Sequence, residues 1–281
     1  MKKTLTRATC ALERALFRRG LPAAGRRTLP HFLGLGPGQT GTTWLARHLA
    51  AHPGVYVAAK KETHYFSRHF DEWSLRYYAS LFAAGGERVA GEITPGYSIL
   101  KRQRIAQVAR LMPDVRLILT IRNPIERSWS AARKVMPRLG MAIDSVSDED
   151  LFAYFRSEWA YTRPGIVPLT GAYEAGLLEG YYSRSIDNWL SEFKEEQLLP
   201  VFFDDIKSQP GRVLSRVCSH IGVEAQPLAD DSALKEPVNR GQSHAMPERV
   251  RDFLVAHYRT QIETLAARLG GPATTWLDEL G

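Results

Sequence analysis

Hydrophobic positions recur along this chain in two rhythms. Short runs that are apolar at most positions, HFLGLG (31–36), GVYVA (54–58), RVAGEI (88–93), VRLILTI (115–121) and LLPVFF (198–203), read as strands, VRLILTI most clearly as a buried one. Between them lie segments with helical spacing: TTWLARHLAAH (42–52), WSLRYYASLF (73–82), ILKRQRIAQVARLM (99–112) stopping before Pro113, and IERSWSAARKV (125–135) opened by Asn123-Pro124. Further helices are expected around 147–160, 174–193, 210–221 and 247–269. Strands alternating with helices predict an α/β fold, a parallel sheet with helices on both faces. No repeat or low-complexity tract interrupts residues 30–281, which are expected to form a single domain.

Composition adds limits. At 281 residues and 44% apolar, the chain is long enough to bury the core of one large domain or two small ones. No apolar run approaches the roughly 20 residues needed to cross a bilayer, and no apolar h-region precedes a cleavage site, so the chain reads as cytoplasmic. Cys10 and Cys218 match neither a disulfide framework nor a metal-ligand spacing, and no metal is expected. A net charge of +7 would suggest a nucleic-acid partner if it were spread along the chain. Instead, residues 1–30 hold eight basic residues against Glu13 alone, and the remainder is balanced. On a helix, Lys3, Arg7, Arg14 and Arg18 share one side, with Leu5, Leu12 and Leu16 roughly opposite. Residues 1–29 therefore read as an extra helix packed on the domain, as a frayed terminus, or as a basic amphipathic extension resting on an anionic membrane surface.

The candidate chemistry begins at LGLGPGQTGTTWLARHL (33–49). A glycine-rich turn between strand and helix aims backbone N–H groups and the positive helix end at one point, which suits a phosphate. Gly36, Gly38 and Gly41 permit close approach, and Thr40, Thr42 and Thr43 offer hydroxyl donors. The spacing of Gly36 and Gly41 is that of G-x-x-x-x-G-K-[ST], yet Thr42 stands where a phosphate-loop NTPase has its lysine. That makes an NTPase or kinase a poor reading, as does the lack of an acidic strand-end motif for Mg²⁺. A second anion site follows VRLILTI. In IRNPIERSWS (121–130), Arg122 lies at the strand's carboxyl end, where α/β sheets bind ligands, with Ser130 about two helical turns further on.

Together these motifs resemble the sulfotransferases that use 3′-phosphoadenosine 5′-phosphosulfate (PAPS). GTTWL is similar to that family's 5′-phosphosulfate loop, K-x-G-T-T-x-L, and Arg122, Asn123, Pro124, Arg127 and Ser130 match its R-x-P-x-x-R-x-x-S. KKETHYFS (60–67), GEITPGY (91–97), GYYSRSIDNWLSEF (180–193), FFDDIKSQPGRVLSRVCSHIGV (202–223) and VNRGQSHAMP (238–247) resemble, in order, segments of its carbohydrate branch, which includes the heparan sulfate enzymes. The likeness spans about residues 30–277.

The resemblance implies a P-loop-like fold and transfer of a sulfuryl group from PAPS, with 3′-phosphoadenosine 5′-phosphate (PAP) as product, to a hydroxyl of a carbohydrate or glycolipid. It implies donor contacts at Gly38, Gln39, Thr40, Gly41, Thr42 and Thr43, 3′-phosphate contacts at Arg122 and Ser130, and a late-loop contact at Arg240 and Gly241. It implies Glu62 as catalytic base, with His64 as partner or substitute and Lys61 neutralising charge. Trp44 matches a tryptophan that stacks on adenine, although a helix tryptophan equally belongs to the core; Tyr97 and Tyr182 line a pocket or pack in the core. Gln39 departs from the family, which carries Lys or Arg there. Gln supplies hydrogen bonds but neither charge nor an acidic proton, so either Lys60, Lys61 or Arg127 takes over or the domain is a weak or inactive binder of adenosine phosphates.

Overall fold

The computed structural model describes residues 7–18, 29–156, 177, 180–225, 234 and 244–281. Five parallel strands, β1 (Phe32–Gly34), β2 (Val55–Val57), β3 (Val89–Ile93), β4 (Arg116–Ile121) and β5 (Leu198–Phe202), form one sheet in the order β2-β3-β1-β4-β5. Each was expected, within a residue or two of these ends. The helices are α1 (Arg7–Arg18), α2 (Thr42–Ala51), α3 (Leu75–Ser80), α4 (Arg102–Leu111), α5 (Pro124–Val135), α6 (Asp148–Phe155), α7 (Tyr182–Leu190), α8 (Phe203–Ser208), α9 (Pro210–Ile221), α10 (Glu248–Leu269) and α11 (Pro272–Thr275).

Alternation along the strands sorts the core into two layers, because successive side chains point to opposite faces. Phe32, Ile93, Ile118 and Val201 pack with Trp44, Leu45 and Leu49 of α2 and with Val213, Val217 and Ile221 of α9. Leu33, Leu117, Leu119 and Ile121 pack with Ile105 and Val108 of α4, Trp129 of α5, Trp189 of α7 and Leu254 and Ile262 of α10. The sheet is therefore covered on both faces, as its apolar strands predict. α5 starts sharply because Pro124 occupies its first turn and the Asn123 side chain accepts from the Ile125 N–H.

Of the helix expected around 174–193, the described residues form one over Tyr182–Leu190, and residues 174–176 and 178–179 lie outside them; α11 was not expected, and three further elements differ from the sequence reading. A π-helix, Tyr65–His69, follows His64; a run of five residues is too short to carry a periodic signal. Helix α8 begins directly after β5, where the apolar pair Phe202-Phe203 looks like continued strand. The amphipathic reading of α1 is also altered. Arg14 is buried and donates to the Phe70 carbonyl at 2.6 Å, whereas Leu12 is 60% exposed. Arg14, from the basic side, faces the domain because that carbonyl, Asp71 and the Phe70 ring pair with its guanidinium, whereas Arg7 on the same side is exposed.

Candidate active site

The carboxyl ends of β1, β2 and β4 open on the same edge of the sheet, and the loops leaving them carry the expected site residues. The β1 loop turns back tightly. At Gly36 a Cβ would sit 1.7 Å from the Thr120 hydroxyl of β4, so only glycine lets the loop pass. Gly41 caps α2 with φ 92°, and a Cβ there would approach Ile206 of α8 to 2.8 Å. Among the described residues no side chain caps this helix end, which leaves first-turn backbone donors of α2 at the loop without a capping partner there. Thr40 is fully buried; its hydroxyl donates to the Pro37 carbonyl and lies 2.6 Å from the Thr120 hydroxyl. With its only proton given to Pro37, Thr40 offers a ligand its backbone and not the expected hydroxyl.

Arg122 and Ser130 both converge on this loop. Arg122 donates to the Gln39 carbonyl at 3.4 Å, and Arg127 donates to the Gly38 carbonyl at 3.2 Å. Ser130 donates to the Gln39 side-chain oxygen at 3.2 Å. Gln39 thus joins the two motifs, and it does so with φ 73°, a conformation uncommon outside glycine. Burial lowers the Arg122 guanidinium from its ordinary pKa, with Glu126 at 3.5 Å opposing the shift. The Tyr182 hydroxyl accepts from the Arg122 backbone N–H at 3.3 Å.

The segment after β2 runs beside the end of β3, where the Ile93 N–H donates to the Lys61 carbonyl. Lys61 points into the loop: its ammonium donates to the Thr43 hydroxyl at 3.1 Å, to the Thr42 hydroxyl at 3.4 Å and to Glu62 at 3.4 Å. His64 Nε2 lies 3.5 Å from the other Glu62 oxygen. The His64 contact, with Lys61 adding to it, holds the Glu62 carboxyl below the ordinary range against the opposing effect of desolvation. Burial pushes the Lys61 ammonium below the ordinary lysine range.

Residues outside the expected set support this segment. Glu92 is fully buried on β3 and accepts from the Thr63 hydroxyl and N–H, the Thr94 hydroxyl and the hydroxyls of Tyr78 and Tyr97. It therefore fixes the residue between Glu62 and His64. GEITPGY signals this position only as a motif letter; of the five donors, those of Thr94 and Tyr97 lie within the motif, and those of Thr63 and Tyr78 come from two other stretches. Tyr97 and Tyr182 are fully buried, the packing alternative of the two left open. Trp44 is 6% exposed, donates its indole N–H to the Leu234 carbonyl and packs beside His48, again as core. Arg240 and Gly241 lie outside the described residues.

Known proteins resemble this chain in sequence and in fold. The model of the sulfotransferase domain matches residues 29–268. Curated relatives include the membrane-associated sulfotransferase kil1 of Dictyostelium discoideum, 23% identical over 87% of this chain and 66% of its own, and the mouse heparan sulfate glucosamine 3-O-sulfotransferase 6, 29% identical over 73% of this chain and 56% of its own. The chain thus spans between about half and two thirds of the length of these relatives. Among solved structures, a sulfotransferase from Alicyclobacillus acidocaldarius superposes with a TM-score of 0.69 at 24% identity, covering 89% of this chain and 99% of that one. A mouse sulfotransferase solved with PAP superposes with a TM-score of 0.52 at 12% identity, covering 96% and 95%. With the family model matching residues 29–268 and a parallel sheet shared with solved relatives, the chain belongs to the sulfotransferase family.

Proposed function

We propose that this sulfotransferase moves a sulfuryl group from PAPS to a hydroxyl of a carbohydrate or glycolipid. The observation that carries the reading is the Lys61 bridge, which ties the Glu62 carboxylate to the hydroxyls of Thr42 and Thr43 on the phosphate loop. The loop glycines and the uncapped amino end of α2 fit a 5′-phosphate, and Arg122 with Ser130 fits the 3′-phosphate. PAPS supplies the activated sulfuryl group. Glu62 takes the proton of the acceptor hydroxyl as its oxygen bonds to sulfur, and His64 holds the carboxylate in place. Lys61, made more acidic by burial, neutralises the charge that appears on the departing phosphate oxygen. It thereby fills the place Gln39 leaves, which favours an active enzyme over an inactive binder.

Heparan sulfate enzymes among the relatives support a carbohydrate acceptor. A cytoplasmic location suits Cys10 and Cys218, which are both buried and free. Among the described residues no helix is long and apolar enough to cross a membrane. A peripheral membrane contact would rest on basic residues of the extension other than Arg14.

Thermal unfolding with PAP tests the donor. A ligand present at 100 times its dissociation constant adds about 2.7 kcal/mol, so PAP is expected to raise Tm clearly and ATP with Mg²⁺ to raise it less. Equal, Mg²⁺-dependent stabilisation by ATP would overturn the reading. Mass-spectrometric screening of PAPS turnover against desulfated heparan oligosaccharides and glycolipids tests the acceptor; transfer only to non-sugar hydroxyls would refute the carbohydrate assignment.

A further inference from the structure

The segment that begins at His64 is unusual in two ways, and α1 is attached to both of its consequences. His64 has φ 54° without being glycine, a conformation that persists only where the surroundings over-determine it. Its carbonyl then accepts from both Arg68 and His69, opening the π-helix, and the His69 carbonyl accepts from Glu72 and Trp73. A continuous chain of backbone bonds therefore runs from His64 to Trp73.

Helix α1 grips the far end of that chain. Glu13 accepts from the N–H groups of Leu75 and Arg76 at 2.7 and 3.0 Å, satisfying two donors of the first turn of α3. Cys10 donates to the Trp73 carbonyl at 3.5 Å. Arg14 donates to the Phe70 carbonyl and lies 3.7 Å from Asp71. The guanidiniums of Arg14 and Arg104 each lie 3.9 Å from the centroid of the Phe70 ring, and Arg104 also pairs with Asp71 at 3.0 Å. The held segment returns to the site a second time through Trp73, whose ring stacks on His69 at 4.0 Å and lies 5.2 Å from the Lys60 ammonium.

We propose that α1 is a positioning strap: Glu13 and Arg14 hold residues 70–76 in register and so keep His64 against Glu62. This rests on Glu62 being the catalytic base, although the strap itself is a statement about geometry. Neither residue touches the loop or Arg122, so donor binding does not depend on them. Loss of the strap frees the π-helix to relax, His64 withdraws, and Glu62 loses the first of the contacts, His64 and Lys61, that keep it ionised.

The test uses the full chain and needs no acceptor. The Glu62 carboxyl is followed by ¹³C NMR titration, assigned with Glu62→Gln, in the parent, Arg14→Gln, Arg14→Lys and Glu13→Gln, and PAP affinity is measured by calorimetry. Arg14→Gln is expected to move the Glu62 titration up towards the ordinary carboxylate range with PAP affinity within about twofold, and Arg14→Lys, which keeps the charge, to restore most of it. Glu13→Gln, milder because its amide oxygen still accepts, gives a smaller upward movement and serves if Arg14→Gln fails to fold. An unchanged Glu62 titration in Arg14→Gln, or in Glu13→Gln should the former not fold, refutes the strap. So does a parallel tenfold loss of PAP affinity, which marks general loosening. If the titration moves but Glu62→Gln, assayed separately with an acceptor from the turnover screen, transfers sulfuryl at the parental rate, the base assignment falls and the strap stands.

Discussion

At the scale of single residues the site divides labour between ground-state grip and transition-state chemistry. On the proposed reading Arg122 grips an anion already present on the donor, so Arg122→Ala is expected to weaken PAP binding by about 2 kcal/mol, roughly thirtyfold. Glu62→Gln should leave PAP binding nearly intact and cost about 10²–10⁴ in turnover; a parental rate would remove Glu62 from the mechanism. Because the Glu62 carboxylate is held below its ordinary range, it stays ionised as pH falls, and with Glu62 as the proposed base activity is expected to fall only in more acid solution. His64→Ala removes the largest cause of that depression, so the acid limb of the rate profile is expected to move to higher pH. With Lys61 on the loop, Gln39→Lys should raise the single-turnover rate by less than tenfold, and its lysine would displace the Ser130 bond. A rise of tenfold or more, roughly 1.4 kcal/mol off the barrier, would mean that the parent loop lacks an effective cation.

Elements set what those residues can reach. The β1 loop can cradle a phosphate because Gly36 passes against Thr120 and Gly41 turns the chain into α2 beneath Ile206. Gly36→Ala drives a methyl into the Thr120 hydroxyl and must displace β4 or the loop, an overpacking cost of about 1–3 kcal/mol or more. The expected outcome is a lowered Tm together with more than tenfold weaker PAP binding, measured by calorimetry on the folded fraction. Parental affinity in the folded variant would show that the loop is not the phosphate cradle. The same reasoning places the β2 segment that carries Glu62, the proposed base: pairing of the Ile93 N–H with the Lys61 carbonyl lays it along β3, above the buried Glu92.

For the whole molecule, charge and attachment are separable from the donor site. The excess positive charge lies in residues 1–30, but Arg14 is committed to Phe70 and Asp71. Binding to vesicles rich in anionic lipid is therefore expected to be salt-sensitive, at about 1 kcal/mol per basic residue near the surface, and unchanged in Arg14→Gln. Sedimentation at low and high salt measures it. No binding at low salt removes the membrane contact, and weakened binding in Arg14→Gln would mean that α1 leaves the domain when it meets lipid.

What the sequence by itself determined was whatever repeats with a period or sits in a contiguous motif. The five strands, the helices between them and the loop with its replaced lysine were legible because burial on a sheet or helix face imposes periods of 2 and 3.6, and because a phosphate cradle is built from neighbouring residues. Tertiary structure decided what depends on meetings across the chain. Lys61 meets Thr42 and Thr43 from another strand's loop, Gln39 meets Ser130 across 91 positions, and Glu92 gathers donors from Thr63 and Tyr78 besides those of its own motif. The side of α1 that faces inward was decided in the same way. A guanidinium beside a carbonyl, a carboxylate and an aromatic ring is better satisfied than its amphipathic pattern alone suggests, and those partners stand 56 residues further along.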